Sequence, residues 1–583
     1  MKSNFFSIFI LFFSFTVIEA NAQAPYWNWA ITAGGTNSDR ANAITYSNDG
    51  NLLVAGFFHD TVNFESATVG ALEYGMFIAK YNTNGNLIWV KKIAEGNLGI
   101  EPQKIFEDSM GNILISGYFG EINTGGDLSF TNGNSFTSLG GLDIFVSKFT
   151  AFGNFIWASH IGSLEDDKIA SSINESGVFL QGSRLSDLVL ENSSYADTLF
   201  TNFTWHLWTT KFNMSGQTEY LSDVAVNTSQ MIPTGIVADD SNNFYLSGNY
   251  YGHPAIGFYP DTTWLSNAGG YTNIYLLKFH YDSTGLVNKW QQYIGGSGND
   301  FSHAMDITDN QEILLTGTYS NSSFFGNDSG SIILNSAITG AENFICNYQS
   351  NGSLQFAINS GYSISGGITS SVIIHDDSLI YLCGKYTGAP FFGEGNDTFS
   401  LVPIKNFFVA AYTISGTIHW ARGSLSSFID GLNSITLDDS GHVFAVGFYT
   451  LYCVIDTGET DSLYIPSAGV DDIFIGRLGY KILTEDTIII DTTFISMINN
   501  VNSLFIFPNP ATDFINIELK NSLTNGTLEI YSLYGRLILS ERLLPNTKKI
   551  LLNTSSLYNG IYLIQLKTKS ETLTEKFSII KDK

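Results

Sequence analysis

Nine histidines, three cysteines and a large excess of carboxylates are the side chains through which this 583-residue chain is equipped to do chemistry. The histidines are His59, His160, His206, His253, His280, His303, His375, His419 and His442. None falls in an H-x-H, H-E-x-x-H or His-carboxylate pattern with metal-ligand spacing. Cys346, Cys383 and Cys453 are odd in number and far apart, which builds neither a disulfide framework nor a zinc site. Each lies in or beside an apolar run and reads as a small buried hydrophobe. No Gly-x-Ser-x-Gly elbow lies between a strand and a helix. A triad or a glycosidase-type carboxylate pair assembled from distant positions would leave no local pattern and stays open. The residues predict a non-enzyme that calls for no cofactor.

The carboxylates do show a rhythm. An acid recurs in segments that link one sequence repeat to the next: Asp39, Glu101, Asp166 or Asp167, Asp300 and Asp430. Such acids either ring the mouth of a central channel, as weak metal-site candidates (Asp39, Asp166, Asp300, Asp430), or cap backbone N–H groups of their own turns. Repetition alone produces such a ring, so capping is the expected role. Long polar loops near 119–141, 183–204, 249–272 and 386–405 carry aromatics suited to sugar rings or a protein partner. Phe136, Tyr259, Trp264 and Phe391 are the ligand-binding candidates; packing of these rings onto the underlying sheet is the competing role.

The elements that must position these residues come from an internal repeat. An apolar strand ending in glycine recurs at Gly56, Gly117, Gly182, Gly248, Gly317, Gly384 and Gly447, every 61 to 69 residues. In the same phase follows a second run: Phe77–Tyr81, Phe145–Phe149, Trp208–Phe212, Tyr275–Phe279, Phe344–Tyr348, Phe408–Tyr412 and Phe474–Leu478. A glycine turn and a strand ending in an aromatic complete six copies, as in Gly85–Trp89 and Gly416–Trp420. One further short strand precedes each marker glycine, giving four strands per unit. Four antiparallel strands repeated seven times predict an all-β, seven-bladed β-propeller over 23–480. The last unit lacks its fourth strand, and Tyr26–Ile31 supplies the missing pattern. The N-terminal strand is therefore expected to close the last blade.

Composition agrees with that architecture. Hydrophobic residues make up 44% and charged residues 14%, so a large core is available, and 56 glycines against 11 prolines suit short strands joined by turns. A net charge of −27 argues against nucleic acid and anionic membrane surfaces, which call for Lys and Arg stripes. Lys2, the apolar run Phe5–Ile18 and the small-x-small site Ala20–Ala22 predict a signal peptide over 1–22, cleaved before Gln23. No second long apolar run follows, so no transmembrane segment is expected after cleavage.

Two resemblances sharpen the reading. Asn299-Asp300 after Gly295-Gly296, and Asp438–Gly441 before Val443–Gly447, resemble secreted bacterial β-propeller repeats of the SBBP type, over residues 25–480. After an irregular linker at 481–504 comes a distinct module at 505–583, whose alternating strands predict a small antiparallel β-sandwich. Pro508-Asn509-Pro510, Gly535-Arg536, Gly560-Ile561-Tyr562 and Lys576-Phe577 resemble the type A C-terminal sorting domain of the type IX secretion system in Bacteroidetes. That resemblance implies passage through the outer membrane by the type IX machinery, with release or attachment at the cell surface. The function expected is a secreted or cell-surface binding or adhesion module for a glycan or surface protein. A secreted carbohydrate-active enzyme with carboxylates on the long-loop face, or a structural surface protein without a dedicated ligand, are the alternatives.

Overall fold

Short apolar runs punctuated by Asn, Asp and Gly turns dictate strands, and the computed structural model is all-β, with antiparallel pairing between its strands and no helix among the described residues. The structure describes residues 25–479 and 504–581, apart from 168, 193–194, 201–203, 240, 258–261, 267–270, 327–330, 337–339, 364–366, 376–377, 394–397, 402–405, 425–430, 457–461, 508–510, 512–513, 520–525, 533–536, 544–547, 556, 558–559, 569–571 and 580. The expected signal peptide at 1–22 and nearly all of the 481–504 linker lie outside the described residues. Two compact units divide the chain, 1–482 and 483–583.

One repeat shows how the larger unit is built. Strands Phe301–Ile307, Ile313–Ser320, Ala341–Tyr348 and Leu354–Ser363 pair side by side in sequence order. The marker glycine sits opposite a bulge: Ser302 pairs with Gly317, but Ala304 pairs with the adjacent Thr316. A Cβ on Gly317 would stand 2.0 Å from the Phe301 carbonyl oxygen, which is why the position takes glycine. The same slip lies opposite Gly56, Gly117, Gly248, Gly384 and Gly447. Three lysines of the following strands are buried and neutralised by turn or neighbouring acids, Lys80 by Asp49 at 2.7 Å, Lys148 by Asp108 at 2.8 Å and Lys211 by Glu219 at 2.9 Å, whereas Lys278 donates to the Ser350 carbonyl at 2.9 Å.

The first strands of the repeats are Arg40–Tyr46, Ile100–Glu107, Ile169–Asn174, Ile232–Ala238, Phe301–Ile307, Gly367–His375 and Gly431–Leu437. Each packs against the next, and the last packs against the first. Tyr26–Gly34 pairs along Asp472–Gly479, with Ile31 opposite Ile475, so the beginning of the chain fills the fourth place of the last repeat. One apolar cluster joins Ile44, Val54 and Phe77 to Val446, Ile473 and Ile475, coupling the first repeat to the last.

The long segments between second and third strands do not stay with their own sheets. Five of them form a hairpin that adds to the outer strand of the preceding repeat: Ala94↔Phe130, Ile161↔Leu190, Val226↔Ala255, Gly295↔Phe324 and Tyr362↔Phe391. Among the described residues, Tyr452–Ile455 and Leu463–Pro466 pair only with each other. Across the closure, Asn63 and Phe64 pair with Gly34 and Ala33. Each donated hairpin covers an edge that would otherwise offer unpaired backbone to other chains. The loops read from the sequence at 119–141, 183–204, 249–272 and 386–405 thus contain edge strands.

In the smaller unit, Leu504–Phe507, Phe514–Leu519 and Lys549–Asn553 form one sheet, and Gly526–Ser532, Leu537–Leu543, Gly560–Thr568 and Thr572–Ile579 another. Ile515, Ile517 and Leu552 of the first share a core with Ile530, Ile564, Leu566 and Phe577 of the second.

Candidate functional site

The linker acids turn inward to their own backbone. Asp39 is fully buried, and its Oδ2 accepts the Gly35 N–H at 2.6 Å while Oδ1 accepts that of His59 at 3.2 Å. Asp300 repeats the arrangement, accepting the Gly296 N–H at 3.0 Å, and Asp167 accepts that of Ser163 at 2.6 Å. Burial pushes the carboxyls of Asp39 and Asp300 up to about 7, against the pull of those N–H groups. Burial, then the nearby charge of Asp143, also raises Asp167. Asp166 holds the neighbouring long segment instead, accepting N–H groups of Asn123 at 3.0 Å and Leu142 at 3.1 Å. Asp430 lies outside the described residues. Among the described residues no group of three or more His, Cys, Asp or Glu side chains is arranged to hold a metal ion.

The aromatic candidates part company. Phe136 is half-buried and packs against Phe130 and His160, with ring centroids 6.2 and 5.4 Å away. Phe391 is 37% exposed and stacks on Tyr362 at 5.3 Å. Trp264, on the donated strand Thr263–Trp264, is 67% exposed. Tyr259 lies outside the described residues. The structure does not bring these side chains together: they belong to hairpins on the outer edges of different sheets.

Two concavities do gather functional groups. A pocket of about 520 Å³ opens between the first two repeats, lined by Phe57, Tyr74 and Tyr118 together with Arg40, Glu101 and Glu121. The Tyr118 ring is fixed by its hydroxyl, which donates to the Ile169 carbonyl at 2.8 Å and accepts the Ile169 N–H at 2.9 Å. Burial raises the Glu101 carboxyl, while the Arg40 charge pulls it back. Arg40 itself grips Asp471 Oδ2 through Nη2 at 2.5 Å and Nε at 3.0 Å, and lies 4.0 Å above the Phe448 ring. Arg40 and Glu101 also line a second cavity of about 370 Å³, to which all of the first strands contribute. Its wall mixes hydroxyl and amide side chains, such as Asn42, Gln103, Ser171, Thr234 and Ser434, with Lys104, His303 and apolar residues such as Ile169 and Val372. Of these residues only Glu101 carried a signal in the sequence; the rest are single positions on strands about 65 residues apart.

In the smaller unit Tyr562 is buried and stacks on Phe577 at 5.6 Å, Gly560 adopts φ +156°, and Lys576 is exposed. Pro508, Asn509, Pro510, Gly535 and Arg536 lie outside the described residues. No helix of the described residues is long and apolar enough to cross a membrane.

Comparison with known proteins places this module. An uncharacterized WD repeat-containing protein of Acanthamoeba polyphaga mimivirus is 22% identical over 469 residues, 72% of this chain. The chain spans only 30% of that relative's length. A crystal structure of a protein of unknown function from Dyadobacter fermentans covers 79% of this chain and 100% of its own, at 9% identity and a TM-score of 0.37. Another, from Bacteroides caccae, covers 60% and 89%, at 10% identity and a TM-score of 0.29. Residues 505–581 match the family described as the secretion system C-terminal sorting domain. That domain implies engagement with the type IX secretion machinery and export to the cell surface or beyond. The chain is all-β and built of repeated antiparallel strands, and its residues 505–581 match the secretion system C-terminal sorting domain.

Proposed function

We propose that this is an exported binding module whose repeat domain is a seven-bladed β-propeller, closed by its N-terminal strand and carried out behind a signal peptide at 1–22. The cyclic packing of first strands and the pairing of Tyr26–Gly34 with Asp472–Gly479 support the ring. The mimivirus relative's description as WD repeat-containing is in keeping with it. The observation that carries the binding role is the 520 Å³ pocket, where the aromatic side chains of Phe57, Tyr74 and Tyr118 meet Arg40, Glu101 and Glu121. Aromatic surface supplies contact area to the apolar face of a sugar, and the flanking charges supply orientation. A glycan, free or on a surface protein, is the ligand this combination favours.

A polysaccharide and glycan panel tests the reading, with reducing-end release assayed in the same samples. Saturable binding without product, weakened by Tyr74→Ala, is the expected result. Product release would instead favour a carbohydrate-active enzyme with Glu101 and Glu121 as its carboxylates, and no binding to any glycan would favour a structural surface protein.

A further inference from the structure

Lys104 differs from three lysines of the third strands, which acids hold, and from Lys278, which donates to the Ser350 carbonyl at 2.9 Å. Lys80, Lys148 and Lys211 each meet a carboxylate within 3 Å. Lys104 projects from a first strand into the 370 Å³ cavity and makes no ion pair or hydrogen bond with the described residues. Glu101 lines the same cavity, its carboxyl raised by burial and pulled back by the Arg40 charge, and the remaining ionisable groups are engaged or neutral. Arg40 is held by Asp471, and burial drops His303 to about 4, so it is uncharged at neutral pH. Asp306 acts on Lys104 only from beyond ion-pair distance and accepts the Ile374 N–H at 3.0 Å. Crowding by the surrounding protein lowers the Lys104 ammonium, although the residue stays exposed to solvent along the cavity. Around the same cavity, Gln103, Ser370 and Ser434 also make no hydrogen bond with the described residues. An unpaired ammonium facing uncommitted amide and hydroxyl donors is the complement of a tetrahedral or planar oxyanion.

We propose that this cavity is a binding site for a small oxyanion, with Lys104 as the ionic partner and Gln103, Ser370 and Ser434 as hydrogen-bond donors. Sulfate, phosphate and a sugar carboxylate share that chemistry, and a polar cavity of this size accommodates any of them. The site shares Arg40 and Glu101 with the aromatic pocket but not Tyr74, so Tyr74→Ala should leave anion binding unchanged.

Titration calorimetry on the full mature chain tests the assignment, using sulfate, phosphate, glucuronate and, as a neutral control, glucose, at ionic strength held constant with chloride. The expected result is saturable binding of at least one anion, weakened roughly tenfold or more by Lys104→Met and kept within about threefold by Lys104→Arg. The anion that binds most tightly separates an inorganic ligand from an acidic sugar. Absence of saturable anion binding, equal binding of glucose, or wild-type affinity in Lys104→Met would overturn the proposal. Should Lys104→Met not fold, NMR of ¹³C-methylated lysines in the wild type gives a second reading. The Lys104 signal should titrate at higher pH with the anion bound; an unmoved signal would count against the site.

Discussion

Trp29 donates its indole N–H to the Thr83 carbonyl at 3.1 Å, tying the first strand of the chain to a turn 54 residues later. Trp290 makes the same bond to Ser350 at 2.9 Å, and Trp157 to Met214 at 3.4 Å. In each case the ring lies on the glycine of that turn, with Cβ positions of Gly85, Gly216 and Gly352 within 3.2 Å of it. A tryptophan on the outer strand of one repeat thus fastens the next repeat, and Trp29 does so across the junction between chain ends.

If that junction is a structural closure, Trp27 and Trp29 should matter unequally. Trp27 is fully buried and meets Phe407 and Phe474 edge-on at 5.8 and 5.3 Å. Trp27→Ala is expected to cost about 3–5 kcal/mol. Trp29 is only half-buried, and its loss should cost about 2 kcal/mol. Denaturant unfolding followed by tryptophan fluorescence checks both; a neutral Trp27→Ala would refute the closure.

Much of this framework was legible in the sequence because its cause is local. Gly317 is glycine because the adjacent strand bulges at Ser302 and Ala304, and each bulged repeat carries the same requirement. The missing fourth strand was legible too, since Tyr26–Ile31 carries the pattern that the last repeat lacks. The donated hairpins were not. Phe391 finds its partner Tyr362 on the preceding sheet, so polar composition around it reads as a loop. The cavity was equally hidden, because Lys104, Ser370 and Ser434 converge only when separate repeats pack in a ring.

The Gly-Gly pairs that precede the linker acids make a sharper prediction. A Cβ on Gly296 would sit 1.6 Å from the Ser322 carbonyl oxygen, and one on Gly35 1.9 Å from that of Thr61. Both partners are backbone on a donated hairpin and have little room to yield. Gly296→Ala should destabilise by about 2 kcal/mol or more and loosen Ser322–Phe325 from its sheet. Hydrogen exchange localises the effect; protection unchanged at Phe324 would show that the hairpin is held some other way.

The buried acids predict an inverted pH response. The Asp300 carboxyl is raised to about 7 from 3.8, so the folded state holds a proton that the unfolded state has released. Its contribution to stability is full below about pH 4 and disappears as pH rises through 7. Asp300→Asn should therefore gain stability relative to wild type as pH climbs from 4 to 8. Thermal melts of both proteins across that range give the difference directly. A difference independent of pH would mean that Asp300 titrates normally.

Tyr74 and Trp264 discriminate between two surfaces for the same proposed function. Tyr74 lines the 520 Å³ pocket and packs against His59 at 4.7 Å, whereas Trp264 stands 67% exposed on an outer edge. Removing a ring that stacks on a ligand typically costs about 1–3 kcal/mol of binding, or roughly five- to hundredfold in affinity. Tyr74→Ala should show that loss on whichever glycan binds, with Trp264→Ala near wild type. The reverse pattern would move the ligand to the hairpins.

The sorting domain should be separable from everything above. Its core is built within residues 511–579, from Ala511 to Ile579, and Tyr562 is buried there against Phe577. Tyr562→Ala removes a large ring from that core and should destabilise this module by about 3–5 kcal/mol, without moving the melting of the repeat domain. In a host with a type IX system, deletion of 505–583 is expected to leave the chain inside the outer membrane, and Tyr562→Ala to reduce export in proportion to its unfolding. Fractionation of cells and medium reads both. Full export of the deleted chain would show that residues 505–581 are dispensable for its passage, and that another part of the molecule is recognised.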